Sequence, residues 1–382
     1  MKTSFLTACV LLVSSATALA AAPPVPPEIE DIPVTLLVDI GSGQVLQERR
    51  ADVSFAPASM TKVMTTFVAF EEYRAGRLPL HRRFPVDAKT AREWFAKGTS
   101  MYLEGGDAPT TDQLLHGIMT ASANDAAIVL AKGYAGSVDG WSFLMNDAAK
   151  RLGMTRSHFN TPNGWPDEGR TYVSARDLAR LGEAMIVRYP GLYHRYAGVK
   201  YWQFGERILK SHDPTVGVIP GADGIKTGYT ADARYCFLGS AERRGRRLVM
   251  VVGGAPTTPK RNAAARALLE WGFSQWTARP LFDRGEPVSY ARVQDGDLRR
   301  LPLVADRKLH AAVPKQGGGK VRLTVRYRGP LVAPIAKGSK VADLEIAVDG
   351  TRSGHVPLYA GEAVGIAGPV DRLVNGVMNV FS

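Results

Sequence analysis

Ser59 and Lys62 stand three residues apart in the stretch Pro57-Ala58-Ser59-Met60-Thr61-Lys62-Val63-Met64. On a helix, that spacing puts two side chains on one side, about one turn from each other. A serine hydroxyl is a poor nucleophile until a base takes its proton. A lysine can be that base when burial or nearby cations keep it partly neutral. At a helix start, free N–H groups and the positive end of the dipole would also favour a developing oxyanion. A serine with a lysine three residues on also arises by chance in a chain of 382 residues, so the rest of the chain must supply partners.

Three other places offer them. Ser122-Ala123-Asn124 falls between two expected helices, 111–119 and 126–134. Short polar side chains are common there as caps; alternatively they put a second hydroxyl, able to relay a proton, and a carboxamide, able to hold a substrate peptide bond, at a cleft. Lys226-Thr227-Gly228 reads as strand edge. A lysine on an edge ordinarily guards solubility; alternatively Lys226 and Thr227 hold an anionic group while Gly228 admits another backbone. Arg261 lies in the first turn of an expected helix, 260–272, where a cation opposes the macrodipole. Cys236 sits in a strand-like run and reads as a small buried hydrophobe, since a reactive thiol needs a positive, accessible setting.

The elements that must position these groups follow from periodicity. Residues 34–39 and 44–47 form a hairpin across Ile40-Gly41-Ser42-Gly43. Val63, Met64, Phe67, Val68 and Phe70 give the helix after Ser59 one buried face. Residues 78–107 read as polar and rich in turns, and helices are expected over 140–152 and 174–186. Residues 159–166 form a loop that walls a cleft or simply connects helices. Strands follow at 234–240 and 247–253, around a basic turn. From about Arg279, short alternating runs at 287–293, 320–327, 341–348 and 354–359 read as a small β-sandwich with no cluster of titratable groups.

The termini and charge point outside the cytoplasm. Lys2, the apolar run Phe5 to Val13 and Ala18-Leu19-Ala20 have the layout of a secretory signal, too short to span a bilayer. Its removal takes Cys9 and leaves only Cys236, so no intrachain disulfide forms. The net charge of +12 is spread over scattered pairs such as Arg82-Arg83 and Arg299-Arg300, which suits anionic lipid or wall polymer rather than nucleic acid. Val370, Leu373, Val374, Val377, Met378 and Phe381 share one helical face, as a membrane-surface anchor or a helix docked on the sandwich would.

Taken together, Ser59-Met60-Thr61-Lys62, Ser122-Ala123-Asn124 and Lys226-Thr227-Gly228 resemble, in order, the signature of the penicillin-binding proteins and serine β-lactamases. Asp223-Gly224-Ile225 before the third motif and Leu268-Leu269-Glu270-Trp271-Gly272-Phe273 look like the low-molecular-mass D-alanyl-D-alanine carboxypeptidases. The resemblance implies an α/β (α+β) catalytic domain of the β-lactamase/transpeptidase-like kind, an antiparallel sheet with helices on both sides, followed by a small β-sandwich. The expected division is a signal peptide over 1–22, the catalytic domain over 23–276, the sandwich over 277–362 and an amphipathic anchor helix over 363–382.

The resemblance also implies roles. Ser59 would be acylated, Lys62 would be its base, and Ser122 would pass the proton to the leaving amine. Asn124 would bind the substrate amide. Lys226, Thr227 and Arg261 would hold the terminal carboxylate, and Lys226 would lower the pKa of Lys62 by like charge. The N–H groups of Ser59 and Tyr229, the latter next to Gly228, would form the oxyanion hole. No metal or cofactor is expected. The substrates would be peptidoglycan stem peptides and the inhibitors β-lactams, bound covalently. The protein would sit at the periplasmic face of the inner membrane, held peripherally, with wall-synthesis proteins as partners of the sandwich. Ala123 stands where class A β-lactamases have Asp, and no Glu-x-x-x-Asn follows Asn160; both count against a dedicated β-lactamase. A D,D-endopeptidase would carry the same motifs, and so would a wall-binding scaffold that holds the ligand without turning it over.

Overall fold

The computed structural model describes residues 22–368. The signal peptide expected over 1–22 lies outside them except for its last residue, and so does the apolar stripe from Val370 to Phe381.

The chain opens with the expected hairpin, β1 (Val34–Asp39) and β2 (Gln44–Arg49). Asp39 Oδ1 shapes the turn by accepting from the N–H groups of Gly41 and Ser42. A single turn over Ala58–Met60 leads into helix α1 (Thr61–Arg74). The sequence suggests one buried face for α1. Instead its first ten residues, Thr61 to Phe70, are buried on every side, as befits a helix in the middle of a core.

Residues 78–107, expected as turns, contain a helix, α2 (Ala88–Trp94). Its start is set by Asp87, which accepts from Thr90 N at 2.8 Å. Helix α3 (Thr111–Thr120) opens on a capping box between Thr110 and Gln113. It is followed by α4 (Asn124–Ala135), α5 (Val138–Arg151), α6 (Ala175–Arg188) and a short α7 (Pro190–Tyr196). A small hairpin, β3 (Tyr201–Phe204) and β4 (Arg207–Lys210), precedes the long strands β5 (Ala222–Thr230), β6 (Arg234–Arg243) and β7 (Arg246–Ala255).

Five strands form one antiparallel sheet in the order β2-β1-β7-β6-β5. Both faces are covered. Helix α8 (Thr258–Gln275) packs Ala264, Leu268 and Leu269 against Leu37, Leu248 and Met250. On the other face, Leu36, Val249 and Val251 meet the cluster around α1 and α6. That is why β7 reads as a continuous apolar run from Leu248 to Val252 rather than an alternating one. β5 is left at the sheet edge beside the helical half.

The second domain begins at the end of α8 without a spacer. Its strands are β8 (Trp276–Phe282), β9 (Pro287–Gln294), β10 (Arg300–Val304), β11 (Leu309–Pro314), β12 (Val321–Arg326), β13 (Leu331–Val332), β14 (Lys340–Val348) and β15 (Gly354–Ala360). A six-stranded sheet, β12-β14-β15-β10-β9-β13, and the pair β11-β8 enclose a core of Leu303, Leu309, Val313, Leu344, Ile346 and Leu358. β8, β10 and β11 are not evident in the sequence because Pro and Arg interrupt their alternation or burial is nearly complete. Ile335 and Val364 exchange backbone hydrogen bonds, and Ile366 bridges to Gly296. Residues 363–368 therefore run along this domain rather than starting the helix expected from 363.

The two domains are joined by polar contacts as well as by chain. Gln44 pairs with the backbone of Ala312 through both ends of its amide. Asp39, buried completely, receives Arg246 Nε at 2.6 Å and lies 2.7 Å from His310 Nε2 of β11.

Candidate active site

Four segments meet at a cavity of about 580 Å³ between the helical half and the β5 edge, lined by Ser59, Ser122, Asn124, Thr227, Gly228 and Arg261 among others. The turn carrying Ser59 is held from two sides. A Cβ on Gly228 would lie 2.6 Å from Pro57 O and 3.3 Å from Met60 N, so β5 can approach this closely only without a side chain. Gly164, at φ +73°, is pressed against the carbonyl of Ala58 in the same way. Ala58 itself is left-handed, at φ +48°, next to the serine, a conformation found at sites whose surroundings over-determine them.

Lys62 rises from the first turn of α1 and is wholly buried. Its Nζ lies 2.9 Å from Ser59 Oγ, 2.7 Å from Asn124 Oδ1 and 2.8 Å from Asn163 O. Burial first, and the charge of Lys226 second, hold its pKa well below the usual lysine range, with Asp125 pulling weakly the other way. Burial and like charge are both expected from the sequence, and removal from water is the larger of the two.

Asn124 begins α4, and its amide is engaged at both ends. Nδ2 donates to Lys97 O at 2.9 Å, which turns Oδ1 toward Lys62. The amide orients the lysine as well as lining the cavity. Ser122, two residues earlier, is also left-handed, at φ +62°. Thr99 secures that turn: its hydroxyl donates to Ser122 O at 2.7 Å and its carbonyl accepts from Asn124 N at 2.8 Å.

Lys226 is nearly buried on β5, against the ordinary role of an edge lysine, and its Nζ donates to Thr227 O at 3.2 Å. Burial brings its pKa down to about 7, with Asp213 opposing and Arg261 adding to the fall. Arg261 reaches the cavity from α8 and is fixed by Asn262 Oδ1 and Cys236 O. Tyr229, next to Gly228, is exposed and stacks on Tyr235 at 4.4 Å between ring centres. All the residues singled out from the sequence as catalytic or substrate-binding thus fall in or against one site. Cys236 is buried beneath it, and burial pushes its thiol up to about 11, so it is no nucleophile at neutral pH.

Some contributors carry no sequence signal. Asn163 supplies only a backbone carbonyl, which no residue pattern marks. Trp165 lines the cavity, braced by Trp94 at 5.7 Å and by Lys97 Nζ at 5.1 Å from its ring; composition marks the loop, but not the place of its tryptophan. His212 lines the cavity from the segment after β4, and nothing around it in the sequence sets it apart. Among the described residues, no three His, Cys, Asp or Glu side chains are grouped to hold a metal ion.

The family model for D-alanyl-D-alanine carboxypeptidase matches residues 21–257, and that for the penicillin-binding protein 5 C-terminal domain matches residues 276–365. The chain is 34% identical over 330 residues to the D-alanyl-D-alanine carboxypeptidase DacA of Escherichia coli, covering 85% of this chain and 81% of that one. It is 30% identical over 344 residues to DacF of Bacillus subtilis, covering 87% and 86%. Penicillin-binding protein 5 from Haemophilus influenzae matches 90% of this chain and 100% of its own with a TM-score of 0.74 and 28% identity. Penicillin-binding protein D2 from Listeria monocytogenes, in its ampicillin-bound form, matches 66% of this chain and 100% of its own at 0.59 and 28%.

Proposed function

Because the chain belongs to the D-alanyl-D-alanine carboxypeptidase family, we propose that it removes the C-terminal D-alanine from peptidoglycan pentapeptides through an acyl-enzyme on Ser59. The observation that carries this is the set of partners around Lys62 Nζ. Two are carbonyl oxygens, Asn124 Oδ1 and Asn163 O, and the third is a hydroxyl, Ser59 Oγ. A neutral amine has two N–H donors and one lone pair. Given to the two carbonyls, the donors leave the lone pair facing the serine proton.

The roles follow. Lys62 takes the proton of Ser59, whose Oγ attacks the carbonyl carbon between the last two D-alanines. The N–H groups of Ser59 and Tyr229 receive the oxyanion. Ser122 relays the proton to the leaving amine, and free D-alanine departs. Lys226, Thr227 and Arg261 hold its carboxylate until then. Water then attacks the ester with the same groups in reverse. A β-lactam offers the same acyl carbon, but its leaving nitrogen stays tethered, so the ester persists.

The protein is thus a penicillin-binding enzyme of the bacterial cell wall. Export by residues 1–22, and peripheral attachment to the periplasmic face of the membrane by the stripe from Val370 to Phe381, complete the reading. No helix among the described residues is long and apolar enough to cross a membrane.

The direct test is release of D-alanine from diacetyl-Lys-D-Ala-D-Ala by the purified protein. Release that vanishes in Ser59→Ala supports the reading. Binding without release would make the protein a scaffold, and rapid penicillin turnover without a lasting adduct would make it a β-lactamase.

A further inference from the structure

His212 shares the cavity with Arg261 and stands within electrostatic reach of three cations: Lys226 on β5, Arg261 on α8 and Lys210 at the end of β4. Its neighbour Asp213 is the one carboxylate acting on both Lys226 and Arg261. Tyr229 and Tyr235 line the same cavity. Asp213 spends one carboxylate oxygen on its own loop, accepting from Thr215 N, Thr215 Oγ1 and Val216 N. Arg261 and Lys210, together with Lys226, which is only partly protonated at neutral pH, therefore face one carboxylate here, an imbalance that an incoming anion corrects.

We propose that His212 is a proton-dependent contact for the C-terminal carboxylate of the substrate, joining Lys226 and Arg261, and that substrate binding draws a proton onto it. The inference rests on the functional reading above. In the free protein, burial first, then Lys226, Arg261 and Lys210, hold the imidazole below its ordinary range, so it is neutral at pH 7. A carboxylate placed among these groups reverses the balance of charge and favours the imidazolium. The group is then more basic in the complex than in the free protein, so affinity rises as the pH falls through its bound-state pKa and levels off below its free-state pKa.

The test is a histidine-resolved NMR titration of the full chain carrying Ser59→Ala, with the His212 signal identified by its loss in Ser59→Ala/His212→Gln. The probes are diacetyl-Lys-D-Ala-D-Ala and the same peptide with a C-terminal amide. The expected result is that the carboxylate peptide raises the His212 midpoint by at least about half a pH unit, which is about threefold in affinity, while the amide leaves it in place. In the Ser59 enzyme, His212→Gln then reduces the acid-side fall in KM to the part that the titration of Lys226 contributes, and His212→Arg lowers KM most above the His212 midpoint. An unmoved midpoint, or equal movement with the amide, overturns the proposal while release of D-alanine by the wild type leaves the functional reading standing. Failure to bind the peptide, together with no release of D-alanine, overturns both.

Discussion

Asn124 Oδ1 lies 2.7 Å from Lys62 Nζ, and the other end of the same amide is tied to Lys97 O. The amide oxygen is thereby aimed at the lysine by backbone, not by substrate. Replacing Asn124 with Ala removes that acceptor from a buried amine, and acylation by a fluorescent penicillin should slow by about 100-fold or more, in line with loss of a positioned acid–base group. Asn124→Asp instead places a carboxylate beside Lys62 and raises its pKa. The rising limb of the acylation rate should then move to higher pH in stopped-flow measurements.

Lys226 acts on the same titration from the opposite side. Acylation needs neutral Lys62, so the rate climbs with pH through the pKa of Lys62 and then levels. Burial is the larger reason that pKa is low, and the charge of Lys226 is the next. Lys226→Met removes the second and leaves the first. The limb should shift to higher pH but stay below that of a free lysine, and KM for the peptide should rise because a carboxylate contact is lost.

The closeness of Gly228 to Pro57 O gives a steric prediction. A methyl at 228 meets a carbonyl at 2.6 Å, and neither backbone can swing away as a side chain could. Gly228→Ala should move β5 off the Ser59 turn and displace the Tyr229 N–H. The expected loss is about 100- to 1,000-fold in kcat, the range seen when one oxyanion donor is removed. Circular dichroism should stay unchanged, because β5 is an edge strand.

Much of this site is legible in the sequence because its chemistry lies in side chains at short spacing. Ser59 and Lys62 share one turn, and Lys226 and Thr227 are adjacent on one strand. What the sequence hides is what comes from distant backbone. The carbonyl of Asn163 completes the lysine's partners from 101 residues away. The burial of the first ten residues of α1 on every side is equally hidden, since Thr61, Lys62, Thr65 and Thr66 look polar in sequence and are enclosed only by the fold. Helix α2 escapes notice because its interior, Ala88-Lys89-Thr90-Ala91-Arg92-Glu93-Trp94, has little apolar period and depends on its Asp87 cap. In the second domain the alternating runs stand out, while β10 and β11, broken by proline or nearly all buried, do not.

The junction between the domains carries a stability prediction. Burial pushes the Asp39 carboxyl up, but His310 and Arg246 together outweigh it and hold its pKa below the usual carboxylate range. Because the folded pKa is depressed, this stabilisation is present above the unfolded value of about 3.9 and is lost as the pH falls through the folded pKa. Asp39→Ala leaves Arg246 and His310 facing each other without an anion, and should cost about 3–5 kcal/mol at neutral pH. Denaturant midpoints at pH 7 should show the loss, and the gap between variant and wild type should narrow in strong acid.

Ser59 as the acylated residue and Lys62 as its base are tested together by one intact-mass measurement after brief exposure to benzylpenicillin, followed by tryptic mapping. The expected result is one drug molecule per chain, carried on the peptide containing Ser59, absent in Ser59→Ala and formed far more slowly in Lys62→Met. An unmodified chain, a label on another residue, or a Lys62→Met variant acylated as fast as the wild type would contradict it.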